Sequence, residues 1–340
     1  MPDSTLPWSP GTATGLGPFP GTDPREAARV VFGELEQLPH LPTLPGRGVG
    51  SDAVGRTAAL LRDLHVDLVP SGWRLVPRPG MDERRAQTAL RDDLEALEEG
   101  AQGYEGPAKV QIVGPWTLAA CLELPRGEKA LLDEGAVRDL VASLAEGLAG
   151  HLTEIRRRLP GVGRLVVQLD EPLLAAVLYG ELPTASGWGR LRVIEAAVAE
   201  DGLRQVIAAA EGDAGVRVNV AEPPIVLLQK AGARFLGIDA DLLAALPEDE
   251  VGDALEAGMG LMVGAVPVDP AGEPDVRALA EPVRDLWRKL TLPTGDLPRA
   301  VAVAPLDGLD QLSPESAGRI LGRAGELARF LEEIAGEGWV

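Results

Sequence analysis

The sequence predicts an α/β fold: a single (β/α)8 TIM barrel behind a proline-rich N-terminal lead. Three observations carry this expectation: short strand-type runs recur along the 340 residues, most are followed by a helical pattern, and no repeated hairpin signal lies between them. Strands alternating with helices pair in parallel through right-handed crossovers, and eight such runs favour closure over an open sheet. No Ser/Gly linker, composition break or internal repeat divides the chain, so residues 1–11 read as an irregular lead and 12–340 as one barrel domain.

Taken in order, Pro7, Pro10, Pro18, Pro20 and Pro24 forbid a helix at the start, and residues 14–17 are the first strand. Residues 23–38 are a helix with a Thr/Asp cap and Pro24 in its first turn; 40–47 are a Pro/Gly-dense loop, 51–64 a second helix and 66–69 the second strand. Residues 82–99 and 131–159 space apolar residues helically with charges between them, as helices covering a core do. The remaining strands are 110–113, 165–170, 216–221, 235–239, 261–266 and 301–304.

Composition excludes several classes of function. Gly 41 and Pro 29 together are 70 of 340 residues, below the roughly 25–30% that signals low-complexity disorder. A net charge of −20 with no basic stripe argues against a nucleic-acid partner, whose phosphates need Lys and Arg. One cysteine, Cys121, and three histidines, His40, His65 and His151, are too few for a disulfide framework, a zinc finger or an iron–sulfur cluster. The first basic residue is Arg25, unlike a signal peptide, and the longest apolar run, 258–266, falls far short of the roughly 20 residues that span a bilayer. A cytoplasmic protein with no membrane partner is expected.

In a barrel of this kind the chemistry sits where the strands end. Alternation along 165–170 puts Gln168 and Asp170 on one face and Glu171 on the other; along 216–221 it puts Arg217, Asn219 and Ala221 on the face opposite the valines. Asp239 ends its strand, and Asp307 follows the last one in a turn. Asp170, Asn219, Asp239 and Asp307 are thereby expected at one mouth, where carboxylates would bind an amine, a hydroxyl-rich ligand or a hard cation. The same residue types also cap helices and make Asx-turns. Trp73 and Trp116 each follow a strand and offer rings for stacking, or simply core packing. The glycines at 15, 17 and 21 miss the dinucleotide spacing, and His40 faces either the mouth or solvent.

At these strand ends the chain resembles the C-terminal barrel of cobalamin-independent methionine synthase. Leu16-Gly17-Pro18-Phe19-Pro20 is similar to that family's I-G-S-F-P, Val113-Gly114-Pro115-Trp116-Thr117-Leu118 to its T-G-P-V-T-I, Gln168-Leu169-Asp170-Glu171-Pro172 to its Q-x-D-E-P, and Pro305-Leu306-Asp307-Gly308-Leu309 to its P-D-C-G-L. The match runs in order from about residue 12 to 335, and Gly114 to Leu118 also resembles the related uroporphyrinogen decarboxylase. The resemblance implies methyl transfer from methyltetrahydrofolate to a thiol such as homocysteine, with zinc generating the thiolate. It also places Asn219 and Ala221 where that family has its H-x-C zinc ligands, Asp239 at the zinc-binding glutamate and Asp307 at the last cysteine. Pro18 replaces the serine that contacts the amino-acid carboxylate, Trp73 falls at the glutamate that helps hold the amino group, and Asp170, which the family uses for the substrate amine, is retained.

No metal and no bound cofactor is therefore expected, methylfolate being a possible co-substrate; oxygen donors in place of thiolates suit Mg2+ or Ca2+ better than zinc. The expected ligand is a small polar metabolite, amine-bearing by the retained Asp170, met by Gln168, Asp170, Asn219, Pro18, Trp73 and Trp116. Asp170, Asp239 and Asp307 are the candidate general bases. Either methyl transfer survives without zinc, or the barrel is a catalytically inactive metabolite-binding or regulatory module with a possible protein partner. Porphyrin decarboxylation fares worst, because −20 repels a polyanion and an arginine-rich N-terminal segment is missing.

Overall fold

The structure, a computed structural model, describes residues 6–184, 187–269 and 274–338. Residues 1–5 of the expected lead lie outside them. The chain opens with α1 (Pro24–Glu34), α2 (Ala53–Ala58), β1 (His65–Val69), β2 (Gly72–Val76), α3 (Met81–Gly100), β3 (Gly106–Val113), α4 (Pro115–Cys121), α5 (Glu134–Arg158) and β4 (Val162–Asp170). It continues through α6 (Leu174–Tyr179), α7 (Ala196–Ala209), β5 (Ala214–Arg217), α8 (Ile225–Ala231), β6 (Phe235–Asp239), α9 (Glu248–Glu256), β7 (Gly260–Val266), α10 (Val276–Lys289), α11 (Leu297–Ala300), β8 (Val301–Pro305) and α12 (Pro314–Glu337).

Strands β3 to β8 form one six-stranded sheet in sequential order, every pair parallel. Among the described residues the sheet has six strands where eight were expected. Between β8 and β3 run two extended segments with isolated parallel bridges instead of ladders. Thr14 N donates to Val303 O at 2.8 Å, Thr43 N to Gly17 O at 2.9 Å and Lys109 N to Pro39 O at 2.8 Å. The reason is in the residues: Pro18, Pro20, Pro39 and Pro42 have no amide to give, and glycine weakens strand pairing, so neither segment can sustain a ladder.

The second correction concerns 66–69, expected in the barrel. It belongs to β1, which pairs antiparallel with β2 as a separate hairpin, Val69 opposite Gly72 across a Pro70-Ser71 turn. Gly72 sits at φ +133°, which a side chain would strain, and that turn is the hairpin signal the strand count overlooked. Glu83 and Asp67 tie the hairpin to α3, accepting from Val66 N (3.0 Å) and Asp82 N (3.1 Å). The place expected for this strand is taken by 39–43, which the Pro/Gly content marks as loop.

Helix ends follow local chemistry more closely. Asp23 caps α1, accepting from Arg25 N at 2.9 Å, and Asp52 caps α2, accepting from Gly55 N at 2.8 Å. Inside the curve of the sheet Trp8, Leu16, Leu38, Val166, Phe235, Met262, Ala302 and Ala304 make one apolar cluster. Trp8 meets Phe235 edge-on at 5.2 Å and donates from Nε1 to Arg299 O at 3.1 Å. Phe235 opens β6 and Arg299 lies two residues before β8, so the lead plugs the N-terminal end of the strands. The polar residues lie at the other end. Among the described residues no helix is long and apolar enough to cross a membrane.

Candidate functional site

Alternation along β4 turns Gln168 and Asp170 inward together. Gln168 is fully buried; its Nε2 donates to Asp170 Oδ1 at 2.7 Å and to Leu16 O at 3.2 Å, and its Oε1 accepts from Lys109 Nζ at 2.7 Å. Asp170 stands half-buried above it. Burial pushes its carboxyl up to about 6, against the Arg217 guanidinium, the Gln168 amide and the Lys109 ammonium, with Asp307 adding to the rise.

The second half of the site is organised by Arg217, the last residue of β5. Its Nη2 donates to Asp307 Oδ2 at 2.7 Å and, more loosely, to Asp239 Oδ1 at 3.3 Å. Asn219 donates from Nδ2 to Asp239 Oδ2 at 2.6 Å and accepts the Asp239 amide at 3.0 Å. Asp239, Asn219 and Asp307 thus meet around one guanidinium, and Asp170 acts on the same charge through space. The Asp239 carboxyl is raised by burial, opposed by Arg217 and Asn219. Exposure grades from Asp239, whose side chain is 12% exposed, to Asp307 at 58%, which marks the open side.

β5 ends at Arg217, four residues before the expected 221, because Pro223 and Pro224 follow and Asn219 spends its side chain on Asp239. Pro18 is half-buried and bridges Thr43. The two tryptophans need correction as stacking surfaces. Trp116 is 1% exposed, with Nε1 donating to Ala199 O at 2.9 Å in the helical layer. Trp73 is also buried, in the hairpin, with Nε1 against the Asp52 carboxylate at 3.1 Å. Each is packed as core with its polar handle satisfied, leaving no ring face for a ligand.

The zinc that the resemblance implies does not fit these residues. At the four corresponding positions stand Asn219, Ala221, Asp239 and Asp307, and the guanidinium of Arg217 already lies between the two carboxylates. Among the described residues no group of three or more His, Cys, Asp and Glu could hold a metal ion.

Sequence reasoning placed Arg217 on the right face without giving it a role, and it overlooked Lys109 and Gln111 altogether. The signal was present: Lys109 and Gln111 alternate with Ala108, Val110 and Ile112 in an otherwise apolar strand, so both polar side chains share one face.

No family model matches the chain, and no curated protein matches it. Among solved structures, the B12-independent methionine synthase from Shewanella sp. W3-18-1, in complex with selenomethionine, aligns with 97% of this chain and 98% of its own at a TM-score of 0.59 and 12% identity. A GH5_18 protein from Bifidobacterium longum (12% identity, 94% of this chain and 78% of that one, TM-score 0.41) and morphinone reductase with tetrahydroNAD (14%, 86% and 82%, 0.39) align too loosely to carry weight. At 12% identity the first likeness establishes a methionine-synthase-like barrel fold and nothing finer.

Proposed function

We propose that the open end of the sheet binds a small amine-bearing metabolite, and that its inherited chemistry is methyl transfer from methyltetrahydrofolate to a thiol such as homocysteine, carried out without zinc. The observation that carries this reading is the charge balance: Asp170, Asp239 and Asp307 gather around the single guanidinium of Arg217. Arg217 bonds the latter two, while Asp170 is half-buried and bonded through Oδ1 to Gln168. An ammonium group entering beside Asp170 meets a carboxylate that Arg217 does not bond, at the position the resemblance assigns to the substrate amine.

Asp239 stands where the resemblance places a zinc ligand, beside the thiol. Burial raises its proton affinity, which suits a general base for a thiol of ordinary pKa about 8.5. Asp239 takes the thiol proton, the sulfur attacks the methyl carbon, the S–C bond forms, and the C–N bond electrons return to the folate nitrogen, which takes up a proton from water and leaves as the neutral amine of tetrahydrofolate. One feature favours a second reading, a catalytically inactive binding or regulatory barrel: Asp239 already has both oxygens engaged, by Arg217 and Asn219.

A thermal-shift screen of amino acids, thiols and folates, followed by turnover of methylfolate and homocysteine with and without zinc, tests both. A ligand at a hundredfold excess over its Kd stabilises by about 2.7 kcal/mol. The expected result is a shift with an amine-bearing ligand that Asp170→Asn abolishes. Methionine formation then supports methyl transfer, and binding without turnover supports the second reading. A protein that no amine stabilises overturns the amine-binding reading.

A further inference from the structure

Below Asp170 lies a second polar group that amine binding does not use. Lys109, in the middle of β3, has no exposed surface; its Nζ donates to the neutral Gln168 Oε1 and makes no ion pair among the described residues. His40 bridges Lys109 in parallel from the adjoining segment, which turns both side chains to one face. His40 is fully buried with neither ring nitrogen hydrogen-bonded. Gln111, two residues along β3 and 8% exposed, donates to Leu41 O at 2.6 Å but leaves Oε1 unpartnered, and the buried Thr14 hydroxyl on segment 12–18 is unpartnered too. The chain makes room for this group: a Cβ on Gly15 would strike the His40 ring, and one on Gly17 would come within 2.6 Å of the Gln111 amide carbon. An unmet buried polar atom costs about 1–3 kcal/mol, so several in one region mark a place built to receive something polar.

We propose that Lys109 is an amine nucleophile that condenses with a small aldehyde or ketone, uncharged or amine-bearing, entering past Asp170. The carbonyl is chosen by the nucleophile, and the absence of an acid group by the surrounding charge, since three carboxylates face one guanidinium that two of them already hold. Rotation of the Gln168 amide, which bonds Lys109, Asp170 and Leu16, would open the path from Asp170 to the amine.

In the reaction the Lys109 nitrogen attacks the carbonyl carbon. The C–N bond forms as the C=O π pair moves to oxygen, which takes the proton the nitrogen sheds. The resulting carbinolamine hydroxyl accepts a proton from the Asp170 carboxyl and leaves as water, the nitrogen lone pair closes the C=N bond, and loss of the iminium proton back to Asp170 completes the imine. Burial pushes Lys109 down to about 7, with Asp170 pulling it back up and Arg217 pushing it further down, so the free amine is populated at neutral pH.

The test is reductive trapping on the native full-length protein with glycolaldehyde and cyanoborohydride at neutral pH, mapped by peptide mass spectrometry. The chain has only four lysines, Lys109, Lys129, Lys230 and Lys289, so each is resolved. Lys109 is expected to label about tenfold faster than the other three, because its free amine is populated at neutral pH. Lys109→Met should remove that adduct alone, and Gln168→Ala should speed it. A native protein labelled only at Lys129, Lys230 and Lys289, with Lys109 reacting after unfolding in urea, overturns the proposal. Faster labelling by pyruvate than by glycolaldehyde overturns the substrate class. These readouts do not involve methionine formation or amine binding, so their failure is distinct from failure of the proposed function; if a variant does not fold, the map of the unmodified chain still decides.

Discussion

Glu171 follows Asp170 in sequence and points the opposite way, where it accepts from the Trp116 and Thr117 amides (both 2.8 Å) and the Thr117 hydroxyl (2.7 Å). It holds the start of α4 against the end of β4, and the lack of a side chain at Gly114 lets it approach, since a Cβ there would overlap its carboxylate. Burial pushes Glu171 up to about 7 from its ordinary 4.5, against those three donors. Folding therefore takes up a proton in that interval: this group's stabilising contribution is complete below pH 4.5 and is lost as pH rises through about 7. Glu171→Gln should flatten that part of the profile of melting temperature against pH, and a slope identical to the unmodified protein would refute the assignment. Arg217 belongs to the same scale. Arg217→Met leaves Asp239 buried beside Asp307 without its cation, so a loss of about 3–5 kcal/mol in urea unfolding is expected, and a neutral result would mean the carboxylates do not depend on it.

Among the elements, α2, α3 and the loop before them are joined by one carboxylate. Asp93, 4% exposed on α3, accepts from Arg47 Nη1 at 2.6 Å and from the buried Arg56 of α2. Asp93→Ala strands the buried Arg56 guanidinium and leaves Arg47 to Asp92 and the Ala89 carbonyl, and about 3–5 kcal/mol of destabilisation should appear as a lower urea midpoint. Asp93→Asn, which keeps the acceptor oxygen, should recover part of it. How far elements were legible follows from how local their causes are. The starts of α1 and α2 lie within two residues of their expected positions because Asp23 and Asp52 cap them from within the same turn. The hairpin of β1 and β2 was misread because its first strand resembles a barrel strand and the turn ending at Gly72 was overlooked; in the fold it docks on α3, Glu83 accepting from Val66 N and Asp67 from Asp82 N.

At the scale of the whole molecule, Trp8 closes the floor of the sheet from a segment with no regular structure, packing on Phe235 and Gly260 and bonding Arg299 O. Trp8→Ala should cost about 3–5 kcal/mol, as truncation of a large buried aromatic does, and lower the melting temperature. A change under 1 kcal/mol, small on the scale of core truncations, would show that the lead is dispensable.

The alternation of parallel strands with helices, the inward face of β4 and the scarcity of cysteine were all determined by the sequence, since each depends on residue type, alternation or count. The tertiary structure alone decided which charges meet. Arg217 reaches Asp239 across 22 residues and Asp307 across 90, and Lys109 reaches Gln168 across 59. Such pairings depend on which strands become neighbours and at what height, and no local pattern encodes that: six strands ladder together where eight runs looked alike, and two proline-rich segments span the remaining gap.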